Sequence, residues 1–329
     1  MKNDQRYLVS EDVFEIKSHS NTKFCPLIYE LIPAHGCAFE CSYCNVYSLY
    51  EKKEFHPITV FKNYPEHISK TIDEHRAQGM EPVYYFSPKT DVFQDALVET
   101  KIVHRILEVL HQKKAQYILV TKGRLPDNEI LDLLIASKDK GRVLISYGMK
   151  NEVHARVLEP FAATLKERYE LAKACHDNDI PAMGIIEPIL PLKDLSFVKD
   201  IIKMFVGLKI DHFAIDFARI SKDCLEGLIE RLPELSELRD VYYSPDAIPQ
   251  VFNTGAYFRK PVERFAPSGE FHDKNFNLIK GFAREFNATV SICNYFPVKG
   301  INSDAYKRGF LCFGIYDPVR AKKFLEATI

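Results

Sequence analysis

Short apolar runs rich in β-branched and aromatic residues alternate with longer amphipathic segments from about residue 27 to residue 216. Such alternation is typical of repeated βα units, whose strands lie parallel in one sheet with helices packed against it. The predicted strands are Leu27–Pro33, Pro82–Ser87, Tyr117–Thr121, Arg142–Tyr147, Ala182–Pro188 and His212–Asp216. Six such units predict an α/β fold, a partial (β/α)6 TIM-like barrel with a C-terminal extension. Its active site is expected at the carboxyl ends of the strands.

The segments between these strands carry apolar residues at helical spacing. The clearest are Ile102–Gln112, Asn128–Ser137, Leu165–Asp177 and Asp194–Leu208. After about residue 235, prolines, glycines and tyrosines become frequent, which is typical of a loop-rich region. We therefore predict a lead-in over residues 1–26, the barrel over residues 27–235, and a substrate-capping region over residues 236–329. The elements expected in this last region are a helix near Asn275–Glu285, a strand near Thr289–Cys293 and a terminal helix near Pro318–Ala327.

The composition of the chain argues against several classes of protein. With 329 residues, 46% of them hydrophobic, the chain can bury a large core and is expected to be globular. Its formal net charge of −1 gives no general attraction for polyanions, so a dedicated nucleic-acid binder is not favoured. The sequence has no recognisable signal-peptide run and no membrane span of roughly 20 apolar residues. We expect a cytoplasmic protein with no membrane partner.

Three cysteines, Cys37, Cys41 and Cys44, follow the first predicted strand with the spacing Cys-x3-Cys-x2-Cys. Three thiolates this close in sequence can hold one side of a four-iron four-sulfur (4Fe-4S) cluster, which normally takes four, and leave one iron without a protein ligand. The alternative is a structural zinc site, but zinc needs four ligands in a closed tetrahedral set, and His35 would have to complete it. The remaining cysteines stand alone in the sequence: Cys25, Cys175, Cys224, Cys293 and Cys312. The spacing favours the cluster over zinc and over a disulfide framework.

The same spacing, with an aromatic residue just before the last cysteine, resembles the signature of the radical S-adenosylmethionine (radical SAM) superfamily. Tyr43 occupies the aromatic position. The resemblance implies two cofactors, a 4Fe-4S cluster held by Cys37, Cys41 and Cys44, and S-adenosylmethionine (SAM) bound at the open iron. It also implies that Tyr43 belongs to the cofactor site and that an electron donor such as flavodoxin or ferredoxin is a partner.

Further motifs at the predicted strand ends resemble the spore photoproduct lyase-like group of that superfamily. The loop Tyr85-Phe-Ser-Pro-Lys-Thr-Asp91 is similar to the group's Ser/Thr-Asp loop, which implies that Thr90 contacts SAM with Asp91 beside it. A helix N-cap is the alternative role for Asp91. Val120-Thr-Lys122 resembles the group's Thr-Lys element, in which the lysine reaches the methionyl carboxylate, a role that suits an ammonium group.

Three more positions extend this resemblance. Ser146 follows the fourth predicted strand, where the group places a serine that bonds the cofactor. Glu159-Pro160 and then Arg168 reproduce a Glu-Pro and downstream arginine pattern, which implies a SAM contact for Arg168; a solvated helix position is the alternative. Gly184–Pro188 resembles the group's proline-rich segment around adenine. Glu187 lies within it, and a carboxylate in an apolar strand is usually paired or functional, so we count it among the cofactor-binding candidates.

One position departs from the group's pattern. Spore photoproduct lyases carry a catalytic cysteine two residues before the Ser/Thr-Asp pair, and Pro88 occupies that place here. Proline has no thiol that could return a hydrogen atom, which argues against lyase activity on that lesion. The candidate catalytic residues, as substitute hydrogen donors, are Tyr257, Cys293 and Cys312. Further pocket candidates are Tyr242, Asn294 and Tyr295.

The resemblance implies a radical SAM enzyme that cleaves SAM reductively and uses the 5′-deoxyadenosyl radical to abstract hydrogen from a small biosynthetic molecule, such as a nucleoside or a sugar. Two alternatives remain open. A DNA lesion repair lyase would need a basic, aromatic groove for an extruded base. Its charge could come from Arg259, Lys260, Arg264 and Lys280. A non-catalytic iron-sulfur protein for electron transfer or regulation would have no need of the SAM-loop residues.

Overall fold

The computed structural model describes residues 7–18, 28–44, 57–252 and 262–292. The strands are Tyr7–Ser10 (β1), Ile28–Leu31 (β2), Ala34–His35 (β3), Ile58–Phe61 (β4), Val83–Phe86 (β5), Gln116–Thr121 (β6), Gly141–Ser146 (β7), Ala182–Ile189 (β8), His212–Phe217 (β9), Ile248–Phe252 (β10), Val262–Ala266 (β11) and Thr289–Ile292 (β12). The helices are Tyr64–Ala77 (α1), Asp95–Glu99 (α2), Ile102–Gln112 (α3), Asn128–Ala136 (α4), Glu152–Leu158 (α5), Leu165–Asp177 (α6), Ser196–Val206 (α7), Lys222–Arg231 (α8), Leu238–Tyr242 (α9) and Gly269–Glu285 (α10), with a 3-10 turn at Pro233–Glu237.

The largest sheet of the described residues is parallel. Its strands β2, β5, β6, β7, β8 and β9 lie side by side in chain order, and β12 adds a seventh strand next to β9. Helices occupy the connections between successive strands, as parallel pairing requires. The predicted α/β class with six consecutive βα strands is confirmed, and the C-terminal extension contributes one further strand.

Apolar residues explain why these elements form. In β6, Ile118 and Leu119 are consecutive and both buried, as expected for a parallel strand that is covered on both faces. In α3, Ile102, Ile106 and Leu110 recur at helical spacing and are all buried, so this helix packs along one face. Elements such as β6 and α3 therefore follow from local hydrophobic patterns in the sequence.

Predicted and observed boundaries agree closely, with one exception. Helices α3 and α6 match their predicted segments residue for residue, and strands β2 and β5 to β9 differ from theirs by one or two residues at the ends. Helix α10 begins at Gly269 rather than near Asn275, because the Ser268 hydroxyl accepts a hydrogen bond from the Phe271 N–H at 3.2 Å and caps an earlier start. The predicted helix at Pro318–Ala327 lies outside the described residues.

The chain divides into two compact units, each built from separate stretches of sequence. The first is drawn from residues 1–39, 52–145 and 161–182, and the second from residues 40–51, 146–160 and 183–329. The boundaries expected from the sequence, at residues 26 and 235, stay a prediction. In the first unit, β4 pairs with β1 in parallel and with β3 in antiparallel orientation. In the second, β10 and β11 form an antiparallel hairpin.

Within the described ranges, none of the helices combines the length and the hydropathy that crossing a lipid bilayer requires.

Candidate functional site

In the first unit, the backbone on both sides of Cys37 is held by the loop that follows β5. The Thr90 hydroxyl donates a hydrogen bond to the Gly36 carbonyl at 2.6 Å. The Gln94 side-chain oxygen accepts one from the Ala38 N–H at 3.0 Å, while its amide nitrogen donates to Thr90 Oγ1. Gln94 is fully buried, so water does not compete for these bonds. The path of the chain through Cys37 is thereby fixed by groups of the protein itself.

Asp91 joins this same loop to the end of β6. Its Oδ1 accepts hydrogen bonds from the Phe93 N–H at 2.9 Å and from the Thr121 hydroxyl at 2.8 Å, and its Oδ2 accepts one from the Lys122 N–H at 2.7 Å. Burial raises the pKa of Asp91, and these hydrogen bonds oppose that rise. Asp91 is not a helix N-cap, because Gln94 occupies the N-cap position of α2.

A chain of bonds also leads from Lys122 to Arg168. The Ala163 N–H donates to the Lys122 carbonyl at 3.1 Å, and Arg168 Nε donates to the Ala163 carbonyl at 2.9 Å. Arg168 is fully buried on the inner face of α6, so the alternative of a solvated helix position is wrong. Helix α6 starts at this place because Thr164 and Glu167 form a reciprocal capping box.

In the second unit, the segment from Cys41 to Cys44 folds into a tight turn, with the Cys44 N–H donating to the Cys41 carbonyl at 2.9 Å. Ser42 in this turn donates its N–H to the Leu158 carbonyl at 2.7 Å. Its own carbonyl accepts a hydrogen bond from the Cys224 thiol, with Sγ 3.3 Å from the oxygen. Burial raises the pKa of Cys224 to about 11, which keeps this group a thiol at neutral pH.

Tyr43, the aromatic residue before the last cysteine of the motif, is buried and donates its hydroxyl to the Glu159 carboxylate. Glu159 is itself buried at the end of α5. A buried carboxylate requires a partner, and the phenol supplies one. Glu159 of the Glu-Pro motif thus contacts the cysteine segment of the same unit.

Ser146 lies at the end of β7, buried, and its hydroxyl donates to the Glu187 carbonyl at 3.3 Å. The side chain of Glu187 is half-buried. Close by, a Cβ atom added to Gly148 would stand 2.9 Å from the Pro188 carbonyl oxygen, which only glycine avoids. Two of the predicted cofactor-binding residues, Ser146 and Glu187, are therefore brought together.

A half-buried carboxylate near the end of β9, Asp216, was missed by sequence reasoning. Asp216 Oδ2 accepts a hydrogen bond from Arg219 Nη2 at 2.6 Å, whereas its buried Oδ1 has no hydrogen-bond partner among the described residues. Burial raises the pKa of Asp216, and Arg219 opposes the rise. Since Phe217 packs edge-on against Phe271 of α10, Asp216 projects from the other face of the strand.

Two further buried groups lie beside Arg219. Burial and the Arg219 charge lower the pKa of His272 to about 4, so its ring is neutral at physiological pH. Burial also lowers the pKa of Arg264 to about 10, although Cys44 and Cys224 raise it. Arg264 is only 1% exposed, so the expectation that it contributes charge to a solvent-facing groove is wrong.

Several candidates in the C-terminal region lie outside the described residues. They are Tyr257, Cys293 and Cys312, together with Asn294, Tyr295, Arg259 and Lys260. Tyr242 is described, and it is a core residue: it is buried, and its hydroxyl donates to the Ala218 carbonyl at 2.6 Å.

Another set of metal-ligand residues lies in the first unit, where ligand atoms of His104, Asp127 and Glu129 all fall within 4.8 Å of one another. Lys101 Nζ stands 2.7 Å from Glu129 Oε2 and 3.1 Å from His104 Nε2. Its ammonium already supplies a positive charge there, so we assign no metal to this set.

The donor set of the cysteine motif fits an iron-sulfur cluster. Cys37, Cys41 and Cys44 are half-buried thiols rather than disulfides. The buried Arg264 guanidinium interacts electrostatically with Cys44, and a cation beside this ligand would help to balance the negative charge of three thiolate ligands.

Comparisons with known proteins agree with this geometry. A family model described as the Radical SAM superfamily matches residues 31–205, whereas no curated protein matches the chain by sequence. Among solved structures, a double mutant of spore photoproduct lyase with bound AdoMet and dinucleoside spore photoproduct has 15% identity and a TM-score of 0.64, covering 87% of this chain and 80% of that chain. The lyase complexed with the dinucleoside has 14% identity and a TM-score of 0.61, with 84% and 78% covered. SuiB of Streptococcus suis, bound to S-adenosylmethionine, has 10% identity and a TM-score of 0.51, with 82% and 50% covered. These likenesses confirm the partial TIM-like barrel.

Proposed function

Because the chain belongs to the radical SAM superfamily, we propose that it is an enzyme that modifies a small molecule bearing hydroxyl or amide groups, such as a nucleoside or a sugar. The cofactors of this family are a 4Fe-4S cluster and SAM. When bound, they supply a one-electron cleavage of SAM whose 5′-deoxyadenosyl radical removes hydrogen from an unactivated carbon. What the protein contributes is binding, orientation and a pocket from which water is excluded.

We assign Cys37, Cys41 and Cys44 as the cluster ligands. The observation that carries this proposal is the hydrogen-bonded frame around Cys37, in which Thr90 and the buried Gln94 fix its two neighbours. Because these hydrogen bonds position Cys37 before the metal binds, less conformational entropy is lost on binding. In this proposal the loop after β5 holds the first cysteine of the motif in position.

The residues that form the SAM site in this proposal, by direct contact or by positioning, are Tyr43, Thr90, Asp91, Lys122, Ser146, Arg168 and Glu187. Lys122 suits the methionyl carboxylate because its ammonium is a compact charge with rotatable donors. Asp91 supports this role as a positioning residue, since its carboxylate is hydrogen-bonded to the Lys122 N–H and to the Thr121 hydroxyl. Arg168 acts on the same loop through its bond to Ala163.

For the substrate, the supporting feature is Asp216, whose Oδ1 atom is buried although the residue as a whole is half-buried. Its Oδ1 lacks a hydrogen-bond partner among the described residues, and leaving such an acceptor unsatisfied is costly. Arg219 stabilises the negative charge of the same carboxylate. A substrate O–H or N–H would satisfy Oδ1, which favours a hydroxylated or amide-bearing molecule. The hydrogen donor to the substrate radical, with Tyr257, Cys293 and Cys312 as candidates, is part of this proposal.

A DNA lesion repair lyase is the second candidate, and the likeness to structures of spore photoproduct lyase with bound dinucleoside favours it. Pro88 and the burial of Arg264 argue against it, because the first provides no thiol and the second no surface charge. A protein that only transfers electrons is disfavoured, since it would not need the Asp91 network. We also propose that the protein is cytoplasmic and that a flavodoxin or ferredoxin reduces its cluster.

The test is anaerobic reconstitution followed by turnover. We expect the full-length protein to bind a 4Fe-4S cluster and, with SAM and dithionite, to release 5′-deoxyadenosine faster when its substrate is present. Panels of nucleosides and sugars are incubated with the loaded protein, and the compound consumed with 5′-deoxyadenosine is identified by mass spectrometry. Changing Cys37, Cys41 or Cys44 to Ala should abolish the cluster, whereas Cys175→Ala is the matched control that retains it. Stoichiometric zinc without iron would contradict the proposal.

A further inference from the structure

Helix α8 places a fourth cysteine against the cysteine motif. Cys224 lies in the first turn of α8, where the Ser221 hydroxyl caps the helix by accepting a hydrogen bond from the Cys224 N–H at 3.2 Å. The Cys224 thiol points to the carbonyl oxygen of Ser42, 3.3 Å away. Ser42 is the residue directly after Cys41, so this contact acts on the short turn between two proposed cluster ligands.

The other end of α8 contacts the same residue. Arg231, the last residue of α8, donates a hydrogen bond to the Ser42 hydroxyl. Cys224 and Arg231 are separated by about two helical turns and therefore lie on one face of α8. One helix face thus bonds both the main chain and the side chain of Ser42.

The remaining polar groups of Ser42 are bonded as well. Its N–H donates to the Leu158 carbonyl at 2.7 Å, and its hydroxyl lies 3.4 Å from the Val157 carbonyl. Ser42 is therefore fixed from α5 on one side and from α8 on the other, all within the second unit. A residue held in this way limits the positions that Cys41 and Cys44 can adopt.

We propose that Cys224 and Arg231 are positioning residues for the turn between Cys41 and Cys44, and that Cys224 serves this turn as a hydrogen-bond donor and does not bind iron. The inference rests on the proposed cluster site. It gives α8 a role in positioning two cluster ligands, although this helix lies beyond residues 31–205 of the family match. It also explains why a fourth cysteine can stand beside a three-cysteine motif without closing the open iron position.

The experiment uses the full-length protein, reconstituted anaerobically, with Cys224 changed to Ser, Val or Ala and Arg231 changed to Lys or Met. Iron and sulfide per chain are measured first, then the rate at which the chelator bathophenanthroline removes iron, and the EPR spectrum of the reduced cluster. Val fills the space of the thiol without donating, whereas Ser restores a donor. Cys175→Ala is the control for loss of a buried cysteine.

We expect every variant to bind four iron atoms per chain with an unchanged EPR spectrum. Because one hydrogen bond to the turn is lost, Cys224→Val and Cys224→Ala should release iron about two- to tenfold faster than wild type. Cys224→Ser should release it at nearly the wild-type rate, and Arg231→Met should release it faster than Arg231→Lys.

Two outcomes would overturn the inference while leaving the proposed function intact. Wild-type iron release in Cys224→Val would show that the thiol contact does not hold the turn. Complete loss of iron in Cys224→Ala, at the level of Cys41→Ala, would show that Cys224 is a ligand. A wild-type protein that binds no iron would instead overturn the cluster site on which both proposals rest.

Discussion

The Gln94 side-chain oxygen accepts a hydrogen bond from the Ala38 N–H at 3.0 Å, so a fully buried amide fixes the residue that follows Cys37. The same amide donates to Thr90 Oγ1, which in turn donates to the Gly36 carbonyl. Each of the three bonds depends on the others, because a buried hydrogen-bonded network loses more than one contact when a member is removed.

Changing Gln94 to Glu should therefore reduce the cluster content of the reconstituted protein severalfold. Glutamate keeps the size of the side chain but replaces the NH2 donor with an acceptor that faces Thr90 Oγ1 and the Gly36 carbonyl. Leaving buried groups unsatisfied costs about 1–3 kcal/mol. Iron and sulfide analysis measures the effect, with the exposed Gln116→Glu as the matched control. Equal iron content in the two variants would show that the frame around Cys37 is dispensable.

Lys122→Ala should weaken SAM binding by roughly ten- to a hundredfold, because one charge-assisted hydrogen bond worth about 1.5–3 kcal/mol is lost. The cluster should remain, since Lys122 contributes no thiolate. Binding of SAM to the reconstituted protein is measured by isothermal titration calorimetry, and Lys70→Ala, with a side chain 76% exposed, is the control. Unchanged SAM affinity would remove Lys122 from the proposed site.

His272 should make stability fall as the solution becomes acidic. Its pKa is lowered to about 4 in the folded protein, whereas the unfolded chain has the ordinary value near 6.5. Between these values only the unfolded chain binds the proton, so the free energy of unfolding decreases as pH falls from about 6.5, by up to about 3 kcal/mol at pH 4.

His272→Phe should flatten this dependence between pH 7 and pH 5.5, because phenylalanine keeps the edge-on packing against Phe217 without a titrating group. Urea unfolding of the full-length protein, in the same cofactor state at each pH, measures the slope. His111→Phe, at the exposed end of α3, is the control. An identical slope in wild type and His272→Phe would assign the acid sensitivity to other groups.

The protein should not repair spore photoproduct. Pro88 takes the place of the hydrogen-donating cysteine, and the formal net charge of −1 gives little general attraction for duplex phosphates. The reduced, cluster-loaded protein is given SAM and a spore-photoproduct dinucleotide, and thymine products are sought by mass spectrometry. Repeated turnover to repaired thymines would overturn this prediction and favour the DNA lyase.

The sequence predicts the parallel sheet well because buried strands and amphipathic helices are local patterns. Segments such as α3 and α6 can be read from apolar spacing within a dozen or so residues. The residues that hold the cysteine segment in place could not be predicted in this way, because their contacts are distant in sequence. The hydrogen bond between Gln94 and Ala38 joins residues 56 positions apart, and the one between Cys224 and Ser42 joins residues 182 positions apart. Local periodicity in the sequence cannot predict contacts at such separations.

The sequence is also a poor guide to the burial of individual charged side chains. Arg168 and Arg264 are charged residues in segments with exposed neighbours, so the sequence alone allowed solvated positions for both. Both are buried. Arg168 bonds to Ala163, only five positions away, whereas Arg264 lies near Cys44, which is distant in sequence. Asp216 escaped notice because nothing in its local sequence separates a functional carboxylate from a strand-end residue.

The shared carboxylate of Asp91 limits how this region can change during evolution or engineering. Because Phe93, Thr121 and Lys122 all donate to it, one substitution removes the partner of three groups. Substitutions at positions 91 and 121 should therefore be strongly non-additive, since each alters what the other can stabilise. A library that varies the two loops separately would discard combinations that work only as pairs, whereas joint randomisation of both loops would retain them.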